Sequence, residues 1–180
     1  LASWTRVFDG RVARRADADE DLLPLALASA SPAGESWLVR WLARPHDLGR
    51  PFNTSGLMMV AASGSHRVRG LALARIGEVS TAPAVHAFLL DRLVQEPDPD
   101  LLAATVSSIR RFQEPGLAEA LVALTRRSEP VVRRAAVDAM ARVPGGTVDA
   151  RLLQLTGDDP DGKVRRKARK AIRERARAQR

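Results

Sequence analysis

The stretch Glu129-Pro-Val-Val-Arg-Arg-Ala-Ala-Val-Asp-Ala-Met140 decides how this chain is read. Its apolar residues Val132, Ala136, Val137 and Met140 stand at i, i+4, i+5 and i+8. That spacing places all four on one face of an α-helix. An acid and a proline open the stretch, where an acid opposes the helix dipole and proline fits the first turn. Pro144-Gly145-Gly146 follows as a stop.

The same pattern returns on both sides. Gapless copies begin at Val68, Leu101, Val132 and Val164, separated by 33, 31 and 32 residues. The ninth position of each copy is Ile76, Ile109, Met140 and Ile172; the fifth is Ala72, Thr105, Ala136 and Ala168. Asp98-Pro99-Asp100 and Asp158-Asp159-Pro160-Asp161 mark starts as Glu129-Pro130 does, while Gly77 and Pro115-Gly116 mark ends. A second apolar pattern follows each of the first three copies: Val85, Leu89, Leu90 and Leu93; then Leu117, Leu121, Val122 and Leu124; then Val148, Leu152, Leu153 and Leu155. The repeating unit is therefore helix, turn, helix, turn. Neither helix buries its face alone, so stacked units must share a continuous core.

These residues resemble HEAT-like repeats of the short kind named after phycobilisome lyases. The stretch from Glu129 to Met140 carries the likeness, with Val68–Gly77 and Asp161–Ile172 as poorer copies. The resemblance implies an all-α, right-handed α-solenoid of about four helical hairpins with a C-terminal capping helix. It also implies that the arginines after the first core residue (Arg69, Arg133, Arg134, Arg165, Arg166) pair with acids of a neighbouring repeat, for which Asp100, Glu129 and Asp138 are the expected partners. Such arrays scaffold many roles, so the resemblance speaks for fold more than for function. No tyrosine is present, which disfavours tetratricopeptide repeats.

Residues 1–66 are helical in pattern but irregular. They are expected to form an N-terminal cap and a degenerate repeat, continuous with the repeats of residues 67–180. Trp4, Val7, Phe8 and Val12 share a face over residues 3–15; Leu22, Leu23, Leu25 and Leu27 follow Asp21; Trp37, Leu38, Trp41 and Leu42 form a further face. Residues 44–56 are expected as the longest loop, before a short buried helix from Leu57 to Ala62.

Charge is distributed unevenly. The chain of 180 residues carries a formal +8, yet residues 163–180 hold ten basic side chains against the single acid Glu174. The remainder holds 19 basic and 20 acidic groups and is nearly neutral. With no cysteine, thiol catalysis and Cys-based zinc sites are excluded, and a reducing, cytoplasmic setting is expected. No apolar run reaches the roughly 18 residues of a membrane span. The chain begins at Leu1, without a signal-peptide pattern and without methionine, as expected of a piece cut from something longer.

Catalytic chemistry is not legible. Gly157-Asp-Asp-Pro-Asp-Gly162-Lys163-Val164 imitates a phosphate-binding loop, but it follows a helix, lacks the Ser or Thr that holds magnesium, and carries three carboxylates. As a calcium loop it fails because Gly157 stands at the first ligand position. His46, His66 and His86 share no ligand spacing, so neither metal nor cofactor is expected. Trp37 and Trp41, with Asp47 in the next loop, invite comparison with HEAT-like alkylpurine DNA glycosylases, which engage a damaged nucleotide with Trp and Asp; a pair of core tryptophans explains the same residues.

Two surfaces are therefore expected to matter. The second helices should form a concave face for a protein partner through His86, Arg92, Glu119, Arg126, Arg151 and Gln154. The C-terminal helix, with Arg165, Arg166, Arg169, Lys170, Arg173 and Arg177, is either a solvated cap or an anion dock that takes nucleic acid or an acidic partner. The expected role is that of a non-enzymatic scaffold.

Overall fold

A computed structural model describes residues 23–29, 32–43, 53–110, 112 and 116–178. All regular structure among them is helical. The expected helix over residues 3–15 and most of the expected 44–56 loop lie outside the described residues. The chain divides into two compact units between Ser80 and Thr81.

The first unit holds α1 (Leu23–Ser29), α2 (Pro32–Leu42), α3 (Thr54–Ser63) and α4 (His66–Val79). Helix α1 packs on α2 and α3, and α4 packs on both α2 and α3. The α2 face is as the spacing predicts: Trp37, Leu38, Trp41 and Leu42 are all buried. In α1 the buried residues are Leu23 and Ala26, whereas Leu25 faces solvent. Helix α3 begins earlier than expected because Asn53 caps it, its Oδ1 accepting from the Gly56 N–H at 2.7 Å. Gly56 itself sits against α1, and a Cβ there would meet Leu23 at 2.9 Å. One expectation is corrected in α4, which His66 opens: Gly77 is a buried interior residue, not a stop.

The second unit holds α5 (Pro83–Gln95), α6 (Pro99–Ile109), α7 (Leu117–Leu124), α8 (Pro130–Met140), α9 (Gly146–Asp158) and α10 (Gly162–Ala178). First helices α6, α8 and α10 lie side by side in that order, and second helices α7 and α9 pack against one another behind them. This is the layering of an α-solenoid, in which each element meets only its near neighbours. The periodic core is where the spacing put it. Leu101, Thr105, Val106 and Ile109 line α6, and Val132, Ala136, Val137 and Met140 line α8, none more than 1% exposed. Thr105 is tolerated there because its hydroxyl donates to the Leu101 carbonyl at 2.9 Å. In the second helices Val85, Leu89 and Leu93, then Leu117, Leu121 and Leu124, then Val148, Leu152 and Leu155 are buried.

Caps and turns follow the acids and glycines. Asp98 Oδ1 accepts from the N–H groups of Asp100 and Leu101, and Asp161 Oδ1 from those of Lys163 and Val164. Gly116 and Gly145, at φ 86° and 133°, let the chain enter α7 and α9 through backbone geometry that other residues rarely adopt.

Candidate functional site

Ion pairs tie the α8–α9 repeat of the second unit to the turn and helix that follow it. Arg133 and Asp159 are both buried; Nε and Nη2 of the arginine meet Oδ2 and Oδ1 of the carboxylate at 2.8 and 3.0 Å. Nη1 of Arg133 donates backwards to the carbonyls of Arg127 and Ser128, at 3.0 and 2.6 Å. The neighbouring Arg134 reaches Asp161 at 2.8 Å. Lys167 pairs with Asp138, and Arg175 Nε donates to Asp149 at 2.6 Å. Arg-to-acid pairs are therefore present across this repeat boundary, but their partners differ from those expected. Asp159 and Asp161 of the next turn are the acids, in place of Asp100 and Glu129, because Arg133 and Arg134 project toward the following repeat. Glu129 instead pairs with Arg127 at 3.0 Å.

These contacts set the carboxyl groups. The Arg134 hydrogen bond, followed by the Val164 N–H, holds the Asp161 carboxyl down at about 2 against an ordinary 3.8. Burial pushes Asp159 up, but the Arg133 and Asp161 N–H bonds outweigh it and leave a net lowering. A carboxyl depressed by folding adds stability above its unfolded value and loses it as pH falls toward its folded value. The urea midpoint should therefore be flat above pH about 4 and fall as pH drops toward about 2. Asp161→Asn should lower the midpoint at neutral pH and make that acid limb shallower; an unchanged limb would count against the pair.

The second-helix residues sort into three places. On α5, His86 is half-buried and stacks on Phe112, with ring centroids 4.9 Å apart and planes at 23°. Arg92 lies with its guanidinium 5.8 Å from the Phe88 ring centroid and bonds Asp91 and Gln95 within its own helix. Glu119 is exposed in the first turn of α7. Arg126, expected on the second helix, instead stands exposed in the turn after α7, since that helix ends at Leu124. Arg151 donates to Thr125 Oγ1 at 2.8 Å and to Gln154 Oε1 at 2.6 Å. Burial and then the nearby charge of Arg126 lower the Arg151 guanidinium from its ordinary value. The fold thus gathers Arg126, Arg151 and Gln154 where α7 and α9 meet, while His86 and Arg92 are held separately on α5.

One feature of this layer was missed. Leu153, expected in the core, is 67% exposed. The aligned positions on the other second helices are Leu90 and Val122, both only half-buried. The same slot in three consecutive second helices is apolar without being core. The clue in the sequence is adjacency: Leu89-Leu90, Leu121-Val122 and Leu152-Leu153 point about 100° apart on a helix, so both members of a pair cannot face one narrow core.

The terminal helix also departs from expectation. Its buried face is Val164, Ala168, Ala171 and Arg175, whereas Ile172 is half-buried and Ala176 exposed. Arg175 takes the core slot because its aliphatic stem covers apolar surface while its head reaches polar groups. Besides Asp149, its Nη1 donates to the Met140 and Val143 carbonyls at the end of α8. Arg165 donates to the carbonyls of Asp159 and Pro160, Arg169 to that of Thr156, and Lys170 lies 3.5 Å from Glu174. Among the described residues the side chains of Lys163, Arg166, Arg173 and Arg177 meet no acceptor. Arg165, Arg169 and Lys170 of the expected anion dock thus engage groups of the chain itself.

In the first unit Trp37 and Trp41 are each 4% exposed. Buried in this way, they offer no open platform for a nucleobase. His46 and Asp47 lie outside the described residues. No helix among the described residues is long and apolar enough to cross a membrane.

Residues 86–173, which span α5 through most of α10, match the family described as HEAT repeats. Neither a curated protein nor a solved structure matches the chain.

Proposed function

We propose that this chain, a member of the HEAT-repeat family through residues 86–173, is a non-enzymatic cytoplasmic scaffold that holds a protein partner on the concave side of its second helices. HEAT repeats are in general protein-interaction scaffolds. The apolar slot occupied by Leu90, Val122 and Leu153 carries the proposal for this chain. Apolar side chains at one slot that are half-buried or exposed, with Arg126, Arg151 and Gln154 nearby, have the composition of an interface: apolar centre, polar margin. His86, Arg92 and Glu119 would complete that margin.

The test is capture of a partner from extract of the native organism, followed by variants. Leu153→Asp combined with Arg126→Glu and Glu119→Lys should abolish capture. All three side chains are exposed, so the unfolding midpoint should move little. Capture that survives the triple substitution would sink the proposal.

A further inference from the structure

Arg133 and Arg134 show what a pair of adjacent arginines does in this fold. They follow the buried Val132, and together they grip the two carboxylates of Asp159-Pro160-Asp161, the turn that starts the next first helix. Two features make the grip work. Nη1 of Arg133 is anchored on the carbonyls six and five residues before it, which fixes the guanidinium plane and leaves Nε and Nη2 for a bidentate carboxylate. Arg134, one position on, reaches the second acid of the turn.

Helix α10 carries the same device. Arg165 and Arg166 follow the buried Val164. Nη1 of Arg165 donates to the carbonyls of Asp159 and Pro160 at 2.6 and 3.2 Å, which again stand six and five residues before it. The guanidinium is anchored as in Arg133, but among the described residues its Nε and Nη2 meet no carboxylate, and Arg166 meets no acceptor. Arg173 adds further positive charge to this helix, and the lone acid Glu174 is beside Lys170.

We propose that Arg165 and Arg166 form an open acid clasp, and that its occupant is the first turn of a partner protein's helix bearing Asp-x-Asp. Charge complementarity and the filled clasp one repeat earlier both specify this occupant: two carboxylates two residues apart, presented by a turn that begins a helix. Single-stranded nucleic acid is disfavoured because no aromatic side chain of α10 is available to stack a base. This inference is independent of the second-helix surface, which lies on other elements.

The experiment uses the whole chain and a synthetic peptide that starts Gly-Asp-Asp-Pro-Asp-Gly and continues as a neutral Ala/Gln helix. At low ionic strength, nitrogen-resolved NMR follows the Nε–H resonances of Arg165 and Arg166. Saturable shifts of both are expected. A peptide with both clasp aspartates replaced by asparagine, and the Arg166→Gln protein, should each bind at least about tenfold more weakly. Arg166 is exposed and engages nothing among the described residues, so that variant keeps its fold, as circular dichroism will show. Glu119→Lys and Arg126→Glu should leave peptide binding unchanged. The clasp is refuted if the peptide does not bind, if Arg166→Gln binds as well as the parent, or if an equally charged peptide with its acids at the far end binds equally. Displacement of the peptide by an equal concentration of duplex DNA would likewise refute it, in favour of a general anion surface.

Discussion

Arg133→Met is expected to destabilise the second unit by about 3–5 kcal/mol. The arginine and Asp159 are 6% and 4% exposed, so the lost partner leaves a carboxylate with little access to water. Asp159 would retain the Asp161 N–H at 2.8 Å, but lose both guanidinium bonds. The Arg127 and Ser128 carbonyls would also lose their donor. The magnitude therefore comes from stranding a charge, and the loss of attraction between the pair is secondary. A second variant separates these contributions. Arg133→Met with Asp159→Leu removes both charges and should recover much of the loss, leaving the cost of the undone turn. Urea unfolding followed by helix signal measures both. A single-variant loss below about 1 kcal/mol would place the pair in a wetter setting than the fold shows.

Leu121→Ala is expected to cost about 2–5 kcal/mol. Leu121 is fully buried on α7, a helix packed on both α8 and α9. Neighbours held on two sides cannot relax easily into the space left by a butyl-sized side chain, and the residual cavity adds to the lost transfer energy. Leu153→Ala on α9 is the matched control. It deletes the same atoms from a side chain that is 67% exposed, and should change stability by no more than about 0.5 kcal/mol. The contrast tests register as well as burial. Equal effects at the two leucines would mean that the second helices are rotated from the orientation described here.

The first helices were legible because one periodic constraint recurs at 33, 31 and 32 residues, and every recurrence puts Val, Leu, Ile or Met at its first and ninth slots. The helix starts were legible for a related reason, since Asp98 and Asp161 do one chemical job at one position. The second helices were harder to read. In Leu152-Leu153 two identical side chains stand side by side, and hydropathy alone does not say which turns inward. Gly77 misled because glycine both ends helices and permits close packing, and only burial distinguishes the two. Arg175 was hidden by composition: one core arginine lies among ten basic residues of residues 163–180. Its register, i+11 from Val164 through Ala168 and Ala171, is the signal that it occupies a core slot. The residues of the proposed partner surface were the least legible part. Arg126 belongs to the turn after α7, and the apolar row of Leu90, Val122 and Leu153 emerges only once burial is known.

Arg175 also separates two senses of the word repeat. By sequence, a unit finishes with its second helix, and the natural place to cut is ahead of Gly162. By hydrogen bonding, the unit containing α8 is incomplete there, because the Met140 and Val143 carbonyls receive their donor from a side chain 35 and 32 residues further on. The end of α8 is completed only when the last turns of α10 have docked. Dissection at the sequence boundary would therefore yield not a shorter array but one with an unfinished final helix, and during synthesis the α8–α9 hairpin must wait for α10 to emerge before the end of α8 is closed.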